Sequence, residues 1–435
     1  MNYEFKDGPE SSGERPGLFS RPKGGWIMNE QSFFQLSQDA VTSLAERYGT
    51  PLLVLSLEQV EKNYEILRNH IPQLKIHYAM KANPDLRILD LLINKGACFD
   101  VASDGEIRTL SQLGVSGDRM IYANPIKLDA GFRACNDAGV YRMTYDSESE
   151  IKKIAQHCPG ATVLLRLRID NPKAHVDLNK KFGCPREKAL DLMLKAKAAG
   201  LDVAGIAFHV GSQTVAADPY FHAMDVTKGL MEEARAKGLT MRVLDIGGGF
   251  PIPETGVHYN LTALLDQVAA RLREDFSDLE IWAEPGRYMC GTAVNLITRV
   301  IGENERNGQH WYFLDDGIYG TFSGVIFDQW DFKLISFKEG KKIPATFAGP
   351  SCDSLDIMFR GKMTEPLEVG DLLLVPVCGA YTSASVTTFN GFRKAKIVIW
   401  EEVRAELGLD AMSVLLRPRR SSAGRILITR TFHIK

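Results

Sequence analysis

A chain of 435 residues is longer than one hydrophobic core commonly supports, so two domains are expected. Its 45% hydrophobic and 24% charged residues are the composition of a soluble globular protein. The net charge of -2 supplies neither a basic field for nucleic acid nor an acidic one for a cationic partner, which brings small-molecule chemistry forward.

Residues 1–28 mix Gly, Pro, Ser and charge without periodicity; they cannot bury enough apolar surface to offset ordering entropy and read as a disordered tail. Residues 29–56 form an N-terminal segment whose strand-like run PLLVLS (51–56) is expected to join a later β domain. From 57 to 287, β-rich runs alternate with amphipathic stretches such as LRILDLLIN and REKALDLMLKAKAAG. The runs are IHYAMKA (76–82), CFDVAS (98–103), MIYANP (120–125), RMTYDS (142–147), TVLLRLRI (162–169), GIAFHVGS (205–212), RVLDIGGG (242–249) and EIWAEPG (280–286). Eight βα units imply parallel strands joined by helices and predict an α/β fold, a (β/α)8 barrel. An open doubly wound sheet is the rival, although no GxGxxG turn follows the first strand. Across 288–405 the runs NLITRVI, HWYFLDD, PATFAGP, DLLLVPV and AKIVIW indicate a separate all-β domain. Residues 406–435 form a basic tail without an assigned structure.

The seven cysteines are odd in number, scattered and free of CxxC pairs, so neither a disulfide frame nor a metal site is expected. No apolar run reaches the roughly 18 residues of a membrane span, and no signal-peptide pattern opens the chain. A cytoplasmic location, away from membranes, follows as the expectation.

In a barrel, chemistry gathers at the C-terminal ends of the strands. Those positions hold Lys81, Asp100, Asn124, Arg166, His209 with Ser212, Gly247 to Gly249, and Glu284 with Arg287, a set too polar for a core. Each has a plainer reading: Lys81 snorkels to the surface, Asp100 caps a helix, Arg166 pairs at the surface, His209 is a satisfied core histidine. Coincidence across so many strand ends is less expected than any one of these. DIGGGFP places bare backbone N–H groups where they can cradle a phosphate, and EPGR adds an arginine in the loop after the eighth strand. A phosphate cradle, a strand-end lysine and a carboxylate on one rim are what pyridoxal 5'-phosphate needs: an anchor, an amine to bond its aldehyde and an acid at its ring nitrogen.

HYAMKANP, FHVGSQ, LDIGGGFP, EPGRYMCGTA, GPSCDSLD, CGAYTSAS and FNGF, in this order over roughly residues 30–400, resemble the alanine-racemase-fold (fold type III) decarboxylases, most closely the bacterial ornithine/lysine decarboxylases. The resemblance implies decarboxylation of a basic amino acid, with Lys81 as the Schiff-base lysine, His209 stacked on the cofactor ring and Glu284 at its nitrogen. It implies that Ser212, Gly249, Gly286, Arg287 and Tyr381 hold the phosphate, and that Asp100 and Arg166 belong to the same site. It further implies a homodimer with shared active sites, in which Cys352 reaches the neighbour's cofactor as proton donor. Asp353 joins Asp328 of FDQW on the substrate's distal ammonium, and Lys181 pairs with Asp356 between subunits. The sequence departs from the pattern at Gln329, where relatives often carry histidine. Diaminopimelate decarboxylase is the nearest alternative, but that family shows glutamate after the cysteine where this chain has Asp353. A racemase lacks its second acid/base here, and a non-catalytic regulatory homologue would have lost cofactor-site residues.

Overall fold

The computed structural model describes residues 33–171, 181–254 and 257–409. The expectations for residues 1–28 and for most of 406–435 lie outside these. Strand β1 (Leu52–Leu55) precedes eight strands that close into a parallel barrel: β2 (Leu74–Ala79), β3 (Cys98–Val101), β4 (Met120–Tyr122), β5 (Arg142–Tyr145), β6 (Thr162–Leu167), β7 (Asp202–Phe208), β8 (Val243–Asp245) and β9 (Glu280–Ala283). Closure is made by β9 pairing with β2, Leu74 opposite Ile281 and Ile76 opposite Ala283. The open-sheet alternative is thereby excluded.

The crossover helices form where capping and apolar periodicity coincide. The helix Leu86–Asn94 starts at Asp85, whose carboxylate accepts the Arg87 N–H at 3.0 Å, and buries Ile88, Leu89 and Leu92 against the barrel. The preceding Asn-Pro ends the strand: Asn83 accepts the Asp85 N–H at 3.1 Å and donates to Gly379 C=O at 2.9 Å. The first barrel loop is thus tied to the second domain.

That domain is an eight-stranded mixed sheet. Its strands are β10 (Val294–Arg306), β11 (Gln309–Leu314), β12 (Ile335–Ser336), β13 (Ile343–Ala348), β14 (Ile357–Thr364), β15 (Leu372–Val375) and β16 (Lys396–Ile399), together with β1. β1 lies antiparallel to β10 and parallel to β16, so the N-terminal strand joins this domain as its run of apolar residues predicts. The helix Gln38–Tyr48 covers the sheet with Val41 and Leu44.

Several elements differ from the sequence reading. β2 stops at Ala79, and Lys81 sits one step further on, in a single 3₁₀ turn, Met80–Ala82. β8 is three residues long, because the left-handed φ values of Gly247 (66°) and Gly249 (99°) end the ladder. β12, β14 and the helices Gln38–Tyr48 and Trp400–Glu406 were not anticipated. β14 buries only Met358 and Thr364 along IMFRGKMT and so lacks the apolar alternation that betrays a strand.

Candidate active site

The barrel strands and their loops surround a cavity of about 490 Å³ that reaches the β domain. Lys81, Arg166, His209, Ser212, Gly249, Glu284, Gly286, Arg287, Asp328 and Tyr381 all line it. Asp100 stands just behind, while Cys352 and Asp353 are not among its walls.

At one end the Lys81 ammonium pairs with Asp100, a carboxylate 1% exposed at the end of β3. Burial alone would lower the lysine's proton affinity, but Asp100, Tyr381 and Glu284 together raise it. Glu284, just past β9, is buried, and its Oε1 has no hydrogen-bond partner. Its pKa is pushed far above the ordinary value, first by burial, then by Asp245 and Asp100. Asp245, the last residue of β8, is raised for the same first reason, so the neighbouring acids hold a proton between them. A proton-bearing carboxyl with one unpartnered oxygen, on the wall of the cavity, is fitted to meet a ring nitrogen.

His209 follows β7 and accepts the Gly211 N–H on Nδ1 at 2.9 Å. Burial and the nearby Arg166 and Lys81 hold its pKa well below the usual range, so the ring is neutral with its proton on Nε2. Gly248 permits the close approach of this ring: a Cβ there would lie 3.2 Å from His209 Nε2 and 2.8 Å from the Glu284 carbonyl.

The opposite end is built for an anion. A Cβ on Gly249 would stand 2.4 Å from Gly211 C=O, and one on Gly286 3.2 Å from the Tyr381 hydroxyl. Arg287 donates from Nε to Ser212 Oγ at 3.2 Å and from Nη2 to Asp328 at 2.6 Å. Its plane is held between the rings of Trp330 and Tyr381, at 4.7 and 4.9 Å. A lysine, an orphaned acid, a neutral ring and a glycine-arginine cradle in one cavity fit pyridoxal phosphate at both of its ends.

Comparison with known proteins agrees. The model of the pyridoxal-dependent decarboxylase family, pyridoxal binding domain, matches residues 57–291. The lysine/ornithine decarboxylase of Selenomonas ruminantium is 50% identical over 370 residues, 85% of this chain and 94% of that protein. The chain belongs to the pyridoxal-dependent decarboxylases. Ornithine decarboxylase of Caenorhabditis elegans is 32% identical over 409 residues, 88% of this chain and 96% of its own. The crystal structure of lysine decarboxylase from S. ruminantium superposes with a TM-score of 0.83 at 49% identity, covering 86% of this chain and all of that one. Lysine/ornithine decarboxylase from Vibrio vulnificus, solved with putrescine, gives 0.77 at 36%, covering 85% and 100%.

In this decarboxylase Cys352 is exposed, and Asp353 accepts the Tyr319 hydroxyl and the Leu355 N–H, which hold its carboxyl below the usual range. Asp356 is 2% exposed and accepts Ile318 N–H at 2.7 Å and Ser351 N–H at 3.1 Å. It braces its own loop, while Lys181 lines the cavity over the Phe182 ring. Sequence reasoning missed Asp245, Trp330, Tyr319 and Asn390. Asp245 had a signal, an acid at the C-terminal end of its strand much as Asp100 stands next to last in β3; the other three sit in segments without a periodic mark. Among the described residues no cluster of metal-ligating side chains occurs, and no helix is long and apolar enough to cross a membrane.

Proposed function

We propose that this chain decarboxylates a basic L-amino acid, L-ornithine to putrescine and/or L-lysine to cadaverine, in cytoplasmic polyamine biosynthesis. The observation that carries the reading is the convergence of Lys81, the orphaned Glu284 carboxyl and the Arg287 cradle on one cavity. The names of the S. ruminantium and V. vulnificus relatives supply the substrate class. We take residues 57–287 as the cofactor-binding barrel and 288–405, with the 29–56 segment, as the β domain.

Bound pyridoxal phosphate supplies an electron sink for the pair left when CO2 departs. Lys81 offers the amine that bonds the aldehyde, with Asp100 fixing its position. Glu284 would meet the ring nitrogen and hold a proton there. His209 would face the ring as an uncharged group, with Arg166 beside it, and Ser212, Gly249, Gly286, Arg287 and Tyr381 would hold the phosphate. Cys352, exposed and outside the cavity, serves the site of a partner subunit, where it returns a proton to the α-carbon. Asp328 and the partner's Asp353 hold the substrate's distal ammonium, for which carboxylates in a partly dry pocket are the natural complement.

Ornithine and lysine differ by a methylene, worth about 1–3 kcal/mol in a pocket. Measuring CO2 release from ornithine, lysine, diaminopimelate and arginine side by side tests the reading. Turnover of ornithine or lysine above the other two is the expected result; preferred turnover of diaminopimelate overturns it.

A further inference from the structure

Cys352 and Asp353 lie in a loop without regular structure, yet both are held from the same side. The Cys352 N–H and S–H both donate to Asn390 Oδ1, at 3.1 and 3.3 Å. The Tyr319 hydroxyl donates to Asp353, and the Tyr319 ring stacks on Phe389 at 4.3 Å and 22°. Phe389 adjoins Asn390, and the Thr387 N–H donates to Tyr319 C=O at 2.9 Å. One short segment therefore clamps the whole Cys-Asp pair. Asn390 itself has φ 51°, a left-handed conformation that asparagine tolerates better than most residues.

We propose that Asn390 is a positioning residue: by accepting the Cys352 S–H on its side-chain oxygen it holds that donor in place and aimed. The inference rests on the reading of Cys352 as proton donor. The backbone N–H of Cys352 fixes which end of the amide faces the sulfur, because an N–H can only donate, and the atom it meets is the oxygen. A thiol satisfies that oxygen. A thiolate would face its lone pairs, so this contact is one that only the S–H form makes. Tyr319, which interacts with the thiol, with Asp353 and with Asp356, is kept together with both acids in the variants below.

Asn390→Gly keeps the left-handed backbone and removes the acceptor; Asn390→Asp keeps an oxygen and adds negative charge. Six of the seven cysteines are buried and only Cys352 is exposed, so iodoacetamide reports on it selectively in cofactor-free protein. Alkylation at neutral pH is expected to speed up about three- to tenfold in Asn390→Gly, the size of a neutral hydrogen bond, and to slow in Asn390→Asp. A merely structural role would move both variants the same way. In the loaded enzyme Asn390→Gly is expected to misplace the proton: CO2 leaves, the proton goes to the cofactor's former aldehyde carbon in place of the α-carbon, and water then cleaves the C=N bond to an aldehyde, leaving the amino group on the cofactor as pyridoxamine phosphate at the expense of part of the diamine. Asn390→Asp should restore the diamine. Unchanged alkylation profiles, or shifts of one sign in both variants, overturn the proposal. If alkylation responds as expected while Cys352→Ala still yields diamine alone, the hydrogen bond stands, but its service to reprotonation, and the donor role of Cys352, fall.

Discussion

At the scale of single residues the site depends on protonation states that burial imposes. Glu284 keeps its proton because it is buried and because Asp245 and Asp100 are near. Glu284→Gln preserves the shape and removes the exchangeable proton; kcat should fall roughly 100-fold or more, within the range for a lost acid-base group. Pyridoxal phosphate affinity should change little, since the phosphate contacts remain, and steady-state kinetics with an absorbance titration of cofactor-free protein checks both. Gly249 makes the opposite case. At φ 99°, with Gly211 C=O 2.4 Å from the position of a Cβ, Gly249→Ala must shift the cradle. Its cofactor dissociation constant should rise about tenfold or more by the same titration, equivalent to about 1.4 kcal/mol. Lys81, Gly249 and Glu284 were legible in the sequence because each stands where a strand run breaks. The pairing of Arg287 with Asp328 was not, because it joins a barrel loop to a segment of the β domain some forty residues away, and no local pattern encodes it.

At the scale of elements, strand order was legible and strand ends were not. Apolar runs announce where a barrel strand lies, but glycine conformation and hydrogen bonding decide where it stops, as β8 shows. The β2–β9 pair that closes the barrel also carries a charge-sensitive group. His77, fully buried, donates from Nδ1 to Lys75 C=O at 3.2 Å and packs on Trp282 at 4.8 Å, leaving Nε2 without a partner. Burial, then Lys75 and Arg142, push its pKa down to about 3. The folded chain therefore refuses a proton that the unfolded chain accepts below its ordinary value of about 6.5, and stability is lost as pH falls from there toward 3. At pH 5 the loss from this group is about 2 kcal/mol, 1.36 kcal/mol for each unit below 6.5. His77→Gln cannot titrate. Between pH 7 and 5, wild type should lose about 2 kcal/mol more than this variant in chemical denaturation; equal losses would assign the acid sensitivity elsewhere.

At the scale of the whole molecule, the distribution of functional groups argues for a second copy. Ten residues of the site share one cavity, whereas Cys352 and Asp353, clamped together by Asn390 and Tyr319, are not among its walls. A precise clamp on two groups that touch no cavity of their own is wasted in a lone chain. Exposed Ile326, Phe327 and Leu355 lie beside Asp328 and the Cys-Asp loop, apolar surface that a partner would cover. If two chains pair about a two-fold axis, each site takes its lysine from one and its thiol from the other. Lys81→Ala and Cys352→Ala homodimers should then each be nearly inactive. Mixed under conditions of subunit exchange, half of the dimers are hybrids. Each hybrid has one site carrying both lesions and one carrying neither, so activity should return to about a quarter of wild type. The recovered rate should follow the mixing ratio and peak at equal amounts. Mass spectrometry of the intact dimers establishes that exchange has occurred. Hybrids that form and remain as inactive as their parents would place Lys81 and Cys352 in the same subunit's site and remove the shared-site arrangement.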